Sequence, residues 1–415
     1  MVSPHALRVK AALEFFSPHH STILSTMWSM PIDDMRTVWL LGAGFSKSLG
    51  GPLLVDLFQP RSWKSDQERF PGEIYPKLAD EVFHSRACFN AGKRDGLWAD
   101  AEEFLVFVDS AYRNGIDDLK RRLLQELGTR MSWGYDNLLP GWQWDKDKFK
   151  FEIFKDFGRI VRRGVAAECS AFLSDLDPKD ERWFPYEQWA KSLHRDWDTV
   201  ICFNYDRVLE TLEERTHAGL MSLLPSRGTT GLMDSGLLHG VPVLKLHGSV
   251  DWKRGNDGEI NLVDSGELLK SEIETPFIAA PGRSKQDAVA EFGPLWELAK
   301  RKLGQADALV VIGYGFPASD AKARTEIQAA FRDGNSAQKI KRVDFVLGPN
   351  TERPDSRRVH ALMQTVNRGR QVIWYPDPPK VKSAPAGFDN ILYLTAHPLW
   401  AEDFIFDYRQ RTRNP

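Results

Sequence analysis

The stretch VWLLGAGFSKS, residues 38–48, decides the fold of this chain. An apolar run passes directly into Gly-Ala-Gly, and a polar segment follows. This pattern predicts a buried strand that ends in a tight turn. At such a turn Gly42 and Gly44 would let the backbone approach a phosphate, and a helix that begins near Ser46 would aim its N–H groups at it. The alternative interpretation is a turn with a structural role only.

Five further apolar runs follow, and helical patterns alternate with them in the second half of the chain. Because the runs are almost continuously aliphatic or β-branched, they predict strands covered on both faces, which is typical of a parallel sheet. The expected fold class is α/β, a Rossmann-like, doubly wound, mostly parallel sheet with a large helical insert. The predicted strands are TVWLLGAG (37–44), TVICFNYD (199–206), PVLKLHGS (242–249), ALVVIGYG (308–315), VDFVLGPN (343–350) and QVIWYP (371–376).

The spacing of these runs predicts the domain organisation. Residues 59–198 separate the first two strands, and their mostly helical, tryptophan-rich pattern predicts an insert subdomain that packs on the sheet and serves as a lid or docking surface. The core then comprises residues 37–58 and 199–380. Residues 1–36 are expected to form an N-terminal arm or extension, and residues 381–415 a C-terminal loop and helix.

Composition argues against several classes of protein. The 415 residues carry a formal net charge of -2, which gives no support to binding of nucleic acid or of an anionic membrane. No stretch has the apolar length of a membrane span, and the first residues lack the order of a signal peptide. Cys88, Cys169 and Cys202 are far apart and form no CxxC pair, which favours a reduced, cytoplasmic compartment.

Polar residues follow the second predicted strand in FNYD, residues 203–206. Open α/β sheets bind ligands at the carboxyl ends of their strands. The Asn204 amide can bond to a ribose or a bound water, and the Asp206 carboxylate can accept from a carboxamide. Asp206 is also suited to cap the helix that follows, but capping does not explain Asn204.

Two more strand ends carry residues suited to ligand binding. His247 ends the third predicted strand in a position that suits a general base, and Gly248 lets backbone pass close to a ligand. The alternative is a histidine whose hydrogen bonds are satisfied by the core. At the fourth strand end Gly313 and Gly315 permit close approach, and Asp320 precedes a helix that it is suited to cap.

The order of these four turns resembles the sirtuin-like NAD-binding family, in particular its bacterial branch of NAD-consuming antiphage-defence proteins. Gly-Ala-Gly-x-Ser, Asn-x-Asp, His-Gly and a glycine-rich strand end with a downstream acid stand in that order here. The resemblance covers residues 37–58 and 199–349. It implies an NAD glycohydrolase that cleaves NAD, as substrate, to nicotinamide and ADP-ribose.

The resemblance also implies roles for individual residues. Asn204 would hold the nicotinamide ribose and orient water, and His247 would be the general base for ribose hydroxyls. Asp206 would contact the nicotinamide carboxamide. The nucleotide-binding residues it implies are Gly42, Ala43, Gly44, Phe45, Ser46, Asp206, Gly248, Gly313 and Gly315, with no metal.

The sequence departs from sirtuin protein deacylases in ways that count against protein deacylation. No cysteine follows Cys202, so the four-cysteine zinc module of those enzymes is excluded. Gly315 stands where the family often has a serine. An NAD-dependent protein deacylase or ADP-ribosyltransferase is one alternative, and a module that senses NAD or ADP-ribose without turnover is another. A structural subunit associated with nucleic acid has no support from the net charge.

Uncontrolled NAD hydrolysis would be toxic, so a gated effector that depletes NAD in antiphage defence is expected. The resemblance implies gating by homo-oligomerisation or by a partner such as a HerA-type ATPase or a short argonaute protein. Direct contact with nucleic acid or a membrane is not expected.

Overall fold

The structure is a computed structural model, and it describes only part of the 415-residue chain. The described residues are 35–57, 152–226, 239–265, 276–279, 291–317, 320–332, 340, 342–350, 357–359, 361–362, 371–375 and 391–413. Almost all of the predicted N-terminal arm, most of the predicted insert and Cys88 therefore lie outside the described residues.

Eight parallel strands form one sheet in the order β3-β4-β2-β1-β7-β8-β10-β9. The strands are β1 (Thr37–Leu41), β2 (Thr199–Cys202), β3 (Leu220–Ser222), β4 (Val241–Lys245), β7 (Ala308–Ile312), β8 (Arg342–Val346), β9 (Gln371–Tyr375) and β10 (Ile391–His397). A separate antiparallel hairpin contains β5 (Trp252–Arg254) and β6 (Ile260–Leu262). The predicted α/β, Rossmann-like, doubly wound sheet is confirmed. The strand order reverses between β1 and β7, so the crevice above these two strands is the topological switch point.

Helices cover both faces of the sheet because its strands are apolar on both sides. Along β1, Val38 and Leu40 belong to one buried cluster, which includes Trp296 of a flanking helix. Trp39 and Leu41 belong to the cluster on the opposite face. The helices are α1 (Ala43–Ser46), α2 (Glu152–Asp175), α3 (Trp183–Ser192), α4 (Val208–Thr216), α5 (Gly293–Gln305), α6 (Ala321–Arg332) and α7 (Ala401–Arg413). None of these described helices has both the length and the apolar character needed to cross a membrane.

The β5–β6 hairpin was not predicted, and two strands of the eight-stranded sheet also differ from the sequence-based expectation. β3 was not predicted, because three residues are too few to show a period. β10 lies at 391–397, within the range expected to be a C-terminal loop and helix, and the structure inserts it between β8 and β9. The first helix also begins at Ala43 rather than near Ser46, since the amide of Phe45 already bonds to the carbonyl of Gly42.

A buried charge cluster joins β8, β10 and α7. The Asp344 side chain is fully buried, and its oxygens lie 2.5 Å from Nε of Arg342 and 2.8 Å from Nε2 of His397. The Tyr408 hydroxyl donates to Asp344 at 3.5 Å. Burial alone would raise the pKa of Asp344, but Arg342 and His397 outweigh it and hold the pKa below its usual value. The charged carboxylate therefore stabilises the attachment of β10 and α7.

Asp344→Asn tests this attachment. Because the folded pKa lies below the unfolded one, the stability from this carboxylate is present above about pH 4 and is lost as the pH falls through the folded value. Removing one partner of a buried ion pair costs about 3–5 kcal/mol. We expect a large fall in Tm at pH 7, and a difference from wild type that shrinks from about pH 5 to pH 3. Exposed Asp196→Asn is the control. A difference in Tm between Asp344→Asn and wild type that stays the same at every pH would contradict this role of Asp344.

Candidate functional site

Two glycine turns meet where β1 and β7 end. The amide of Gly42 donates to the carbonyl of Ile312 at 2.9 Å, and the amide of Gly44 donates to the carbonyl of Gly313 at 3.1 Å. A Cβ on Gly313 would lie 2.4 Å from Cα of Gly44, and Gly313 also has a φ of +65°. The contact between the turns therefore requires glycine on both sides, whether or not a phosphate also binds there.

The first turn is hydrogen-bonded to the turn after β2. Nδ2 of Asn204 donates to the carbonyl of Gly42 at 3.0 Å and to Oγ of Ser46 at 3.1 Å. Oγ of Ser46 in turn donates to Oδ2 of Asp206 at 2.7 Å. No bond to the amide oxygen of Asn204 is seen within the described part of the chain. The structure thus brings the GAGFS and FNYD motifs together.

Both oxygens of the Asp206 carboxylate accept a hydrogen bond within the protein. Oδ1 accepts the amide of Val208, the first residue of α4, at 3.1 Å, and Oδ2 accepts the Ser46 hydroxyl at 2.7 Å. Burial raises the pKa of Asp206 despite the nearby positive charge of Lys245. The cap residue of α4 is Arg207, without a side-chain cap bond, so Asp206 bonds the first helical amide from one residue further out. Contact with a carboxamide stays a prediction.

Phe45 points away from the turn and into the core. Its ring packs edge-on against Tyr186 and Trp189 of α3, and the Tyr186 hydroxyl donates to the Phe45 carbonyl at 2.5 Å. Ala43 and Gly44 are half-buried. Within Gly42–Ser46, the partly accessible residues are therefore Ala43 and Gly44.

His247 lies between the turns after β2 and β7. Its Nδ1 is 3.2 Å from the carbonyl oxygen of Phe203, and its Nε2 is 3.4 Å from Oδ1 of Asp320. Oδ2 of Asp320 accepts from the Tyr314 hydroxyl at 2.7 Å. Neither a contact of Asp320 nor a role of Tyr314 was predicted from the sequence, because their positions near His247 depend on tertiary structure.

Gly248 and Gly315 have different surroundings. Gly248 has a φ of +80°, and a Cβ there would lie 2.1 Å from the carbonyl oxygen of Phe277, so this glycine is required by the neighbouring segment 276–279. The Gly315 carbonyl accepts from Arg358 at 3.0 Å. Neither contact excludes a ligand, and the nucleotide contacts of both glycines stay predictions.

A fully buried lysine links the second and third turns, and the sequence analysis missed it. Nζ of Lys245 donates to the carbonyl of Asp206 at 2.5 Å and to Oγ of Ser249 at 2.6 Å, and it lies 3.3 Å from Oε2 of Glu210. Burial opposes the charge on Lys245, but Glu210 and Asp251 outweigh it, so the pKa is raised. A lysine inside the apolar run VPVLKLHG was the signal that could have identified it.

The polar cluster is closed in this structure. Asn204, Asp206, His247 and Asp320 are each less than one-tenth exposed. Burial raises the pKa of the Cys202 thiol beneath them to about 12, so this thiol stays protonated and unreactive. Within the described residues, no group of three or more histidine, cysteine or acidic side chains is arranged to hold a metal ion. The cluster can therefore offer hydrogen bonds and an imidazole to a polar ligand.

Comparison with known proteins adds two structural likenesses. No protein-family profile matches the chain, and no curated protein does. Among solved structures, the chain is similar to a Sir2 homolog in complex with NAD. The two chains are 14% identical, the match covers 92% of this chain and 91% of that chain, and the TM-score is 0.33. It is also similar to Sir2Tm bound to a propionylated peptide, with 14% identity, coverage of 94% and 99%, and a TM-score of 0.30. These values assign no function, so the proposals below rest on this chain's own residues.

Gly313→Ala tests the contact between the glycine turns. The added Cβ would meet Gly44 and strain a positive φ, so we expect a loss of about 2–5 kcal/mol in the free energy of unfolding. Gly258→Ala is the matched control, since Gly258 has a φ of +84° but nothing within 4 Å of the added Cβ. If Gly313→Ala lowers the Tm no more than Gly258→Ala does, the contact between the turns does not require glycine at position 313.

Lys245→Met tests the buried lysine. The change leaves buried carboxylates and two acceptors without their donor, so we expect a cost of about 3–5 kcal/mol. Lys300→Met is the control, because Lys300 pairs with Glu297 and Glu326 at a partly exposed site, where a pair contributes about 0–1 kcal/mol. Thermal unfolding measures both variants, and equal effects would show that Lys245 does not stabilise the turns.

Proposed function

We propose that this chain is an NAD glycohydrolase that binds NAD at the carboxyl ends of β1, β2, β4 and β7. The observation that carries the proposal is the placement of Asn204 and His247. Asn204 is bonded to the first glycine turn, and His247 faces the carbonyl of Phe203, the residue directly before Asn204. The amide and the imidazole thus follow the neighbouring strands β2 and β4, and cleavage at a ribose would use both groups.

The position of the glycine turns supports a nucleotide at this edge of the sheet. The turn at Gly42–Ser46 and the turn at Gly313 lie at the topological switch point between β1 and β7, where open α/β sheets bind their ligands. The half-buried residues Ala43 and Gly44 would offer the approach for a pyrophosphate. The proposed nucleotide contacts are Gly42, Ala43, Gly44, Phe45, Ser46, Asp206, Gly248, Gly313 and Gly315.

The chemistry that these residues would perform is water attack at an anomeric carbon. The bond from that carbon to the nicotinamide nitrogen breaks, its electron pair leaves with nicotinamide, and water supplies the hydroxyl of ADP-ribose and releases one proton. His247 would accept a proton from a ribose hydroxyl, which stabilises the positive charge that develops at the carbon. The amide oxygen of Asn204 would position the attacking water. General-base assistance of this kind contributes about 10²–10⁴-fold.

A regulated role fits the closed geometry. The four side chains of the polar cluster are each less than one-tenth exposed, so we propose that substrate enters through an opening movement. We propose that assembly drives this opening, either in a homo-oligomer or in a complex with a defence partner such as a HerA-type ATPase or a short argonaute protein. The chain would then deplete cytoplasmic NAD as an effector of antiphage defence.

One observation favours a second candidate, a module that senses NAD or ADP-ribose without turnover. Both ring nitrogens of His247 lie near acceptors within the protein, as they would for a structural histidine. A sensor would bind NAD and release no nicotinamide at any protein concentration. A deacylase would instead form an O-acyl product from an acylated peptide and NAD.

Asn204→Ala and His247→Ala test the proposal. We expect each to reduce nicotinamide release from NAD by a factor of about 10² or more, because each removes a group that acts at the ribose. Asn256→Ala and His239→Ala are the matched controls, since both side chains are exposed, and they should keep wild-type rates. Chromatography of the products, over a range of protein concentrations, measures the release. Full cleavage by folded His247→Ala would contradict the mechanism.

A further inference from the structure

The two ring nitrogens of His247 both face oxygen atoms. Nδ1 lies 3.2 Å from the Phe203 carbonyl oxygen, and Nε2 lies 3.4 Å from Oδ1 of Asp320. A carbonyl oxygen only accepts, so the contact with Phe203 places a proton on Nδ1. If the ring were neutral, the lone pair of Nε2 would point at the Asp320 carboxylate and be repelled by it. A proton on Nε2 instead forms an ion pair with that carboxylate.

Asp320 is buried and hydrogen-bonded at this place. Its side chain is 4% exposed, and its second oxygen accepts from the Tyr314 hydroxyl at 2.7 Å. The Tyr314 ring stacks on Phe203 at 4.1 Å and 7°, and Phe203 lies edge-on to His247 at 4.8 Å. The apolar surroundings keep water away and strengthen the interaction between His247 and Asp320.

Other charged groups near His247 have partners of their own. On β4 the buried ammonium of Lys245 bonds to Ser249 and lies beside Glu210. In the turn after β2, Asp206 accepts from Ser46, and the Tyr205 hydroxyl donates to the Ala279 carbonyl. The segment 276–279 has no titratable side chain. Within the described residues, Asp320 is therefore the carboxylate that pairs with the ring.

We propose that Asp320 is a positioning residue that keeps His247 protonated in the closed site and so sets the pH at which the ring becomes a base. The contact is long for a hydrogen bond, so an entering ribose hydroxyl can displace it. As the base forms, the proton leaves Nε2 for water, and Nε2 then accepts the ribose proton. This inference rests on the proposed function for its role in turnover, but the ion pair itself does not.

The experiment follows the ring of His247 by NMR of the full chain with labelled histidine and no NAD. His247→Gln identifies its resonance. An opposite charge within about 4–6 Å shifts a titration by about 1–3 pH units, so Asp320→Asn should lower the midpoint by about one unit or more. Tyr314→Phe removes the hydroxyl that donates to the Asp320 carboxylate. Without this donor the carboxylate should attract the proton of His247 more strongly, so the titration midpoint of His247 should rise. Asp320→Glu should restore it, and exposed Asp257→Asn should leave it unchanged.

An unchanged midpoint in Asp320→Asn would overturn the inference. If that variant fails to fold, Tyr314→Phe decides, and a midpoint that stays constant or falls overturns it. In the pH profile of nicotinamide release, the rise in rate on the acid side should shift together with the titration midpoint of His247. A shifted midpoint without any NAD cleavage would refute the proposed function and leave the ion pair standing. Cleavage with an unmoved midpoint and an unmoved rise in rate on the acid side would refute the role of Asp320 alone.

Discussion

The site depends on the backbone contact between the glycine turns that end β1 and β7. These strands pair in register, so their last residues reach the same edge of the sheet together. With no side chain at Gly44 or Gly313, the turns approach until the amide of one bonds to the carbonyl of the other. α1 then begins at once, which places Ser46 where Asn204 and Asp206 reach it.

Buried polar contacts extend this arrangement across the sheet. Asn204 and Ser46 join the turns after β1 and β2, and Lys245 joins the turns after β2 and β4. In an apolar surrounding each such contact is costly to break, because it would leave a donor or acceptor unsatisfied. Burial holds these polar side chains in place, and the same burial also limits access of solvent to them.

The sequence was sufficient to predict what local patterns encode. Apolar runs predicted the central strands, and of the polar residues predicted at their ends the structure joins Ser46, Asn204 and Asp206 by hydrogen bonds. The pairing of His247 with Asp320 could not be predicted, because it depends on which strands are neighbours and on the path of the chain after β7. Similarly, the position of Lys245 within an apolar run could indicate a buried lysine but not its partners, since these come from other elements.

The central claim is that the turns after β1, β2, β4 and β7 enclose the nicotinamide ribose of NAD. A crystal structure of the Asn204→Ala protein grown with NAD tests it most directly. We predict the intact nucleotide with its pyrophosphate beside Ala43 and Gly44, and a ribose hydroxyl within hydrogen-bond distance of His247 in place of Asp320. NAD bound elsewhere, or the closed cluster unchanged with NAD at saturation, would contradict the account.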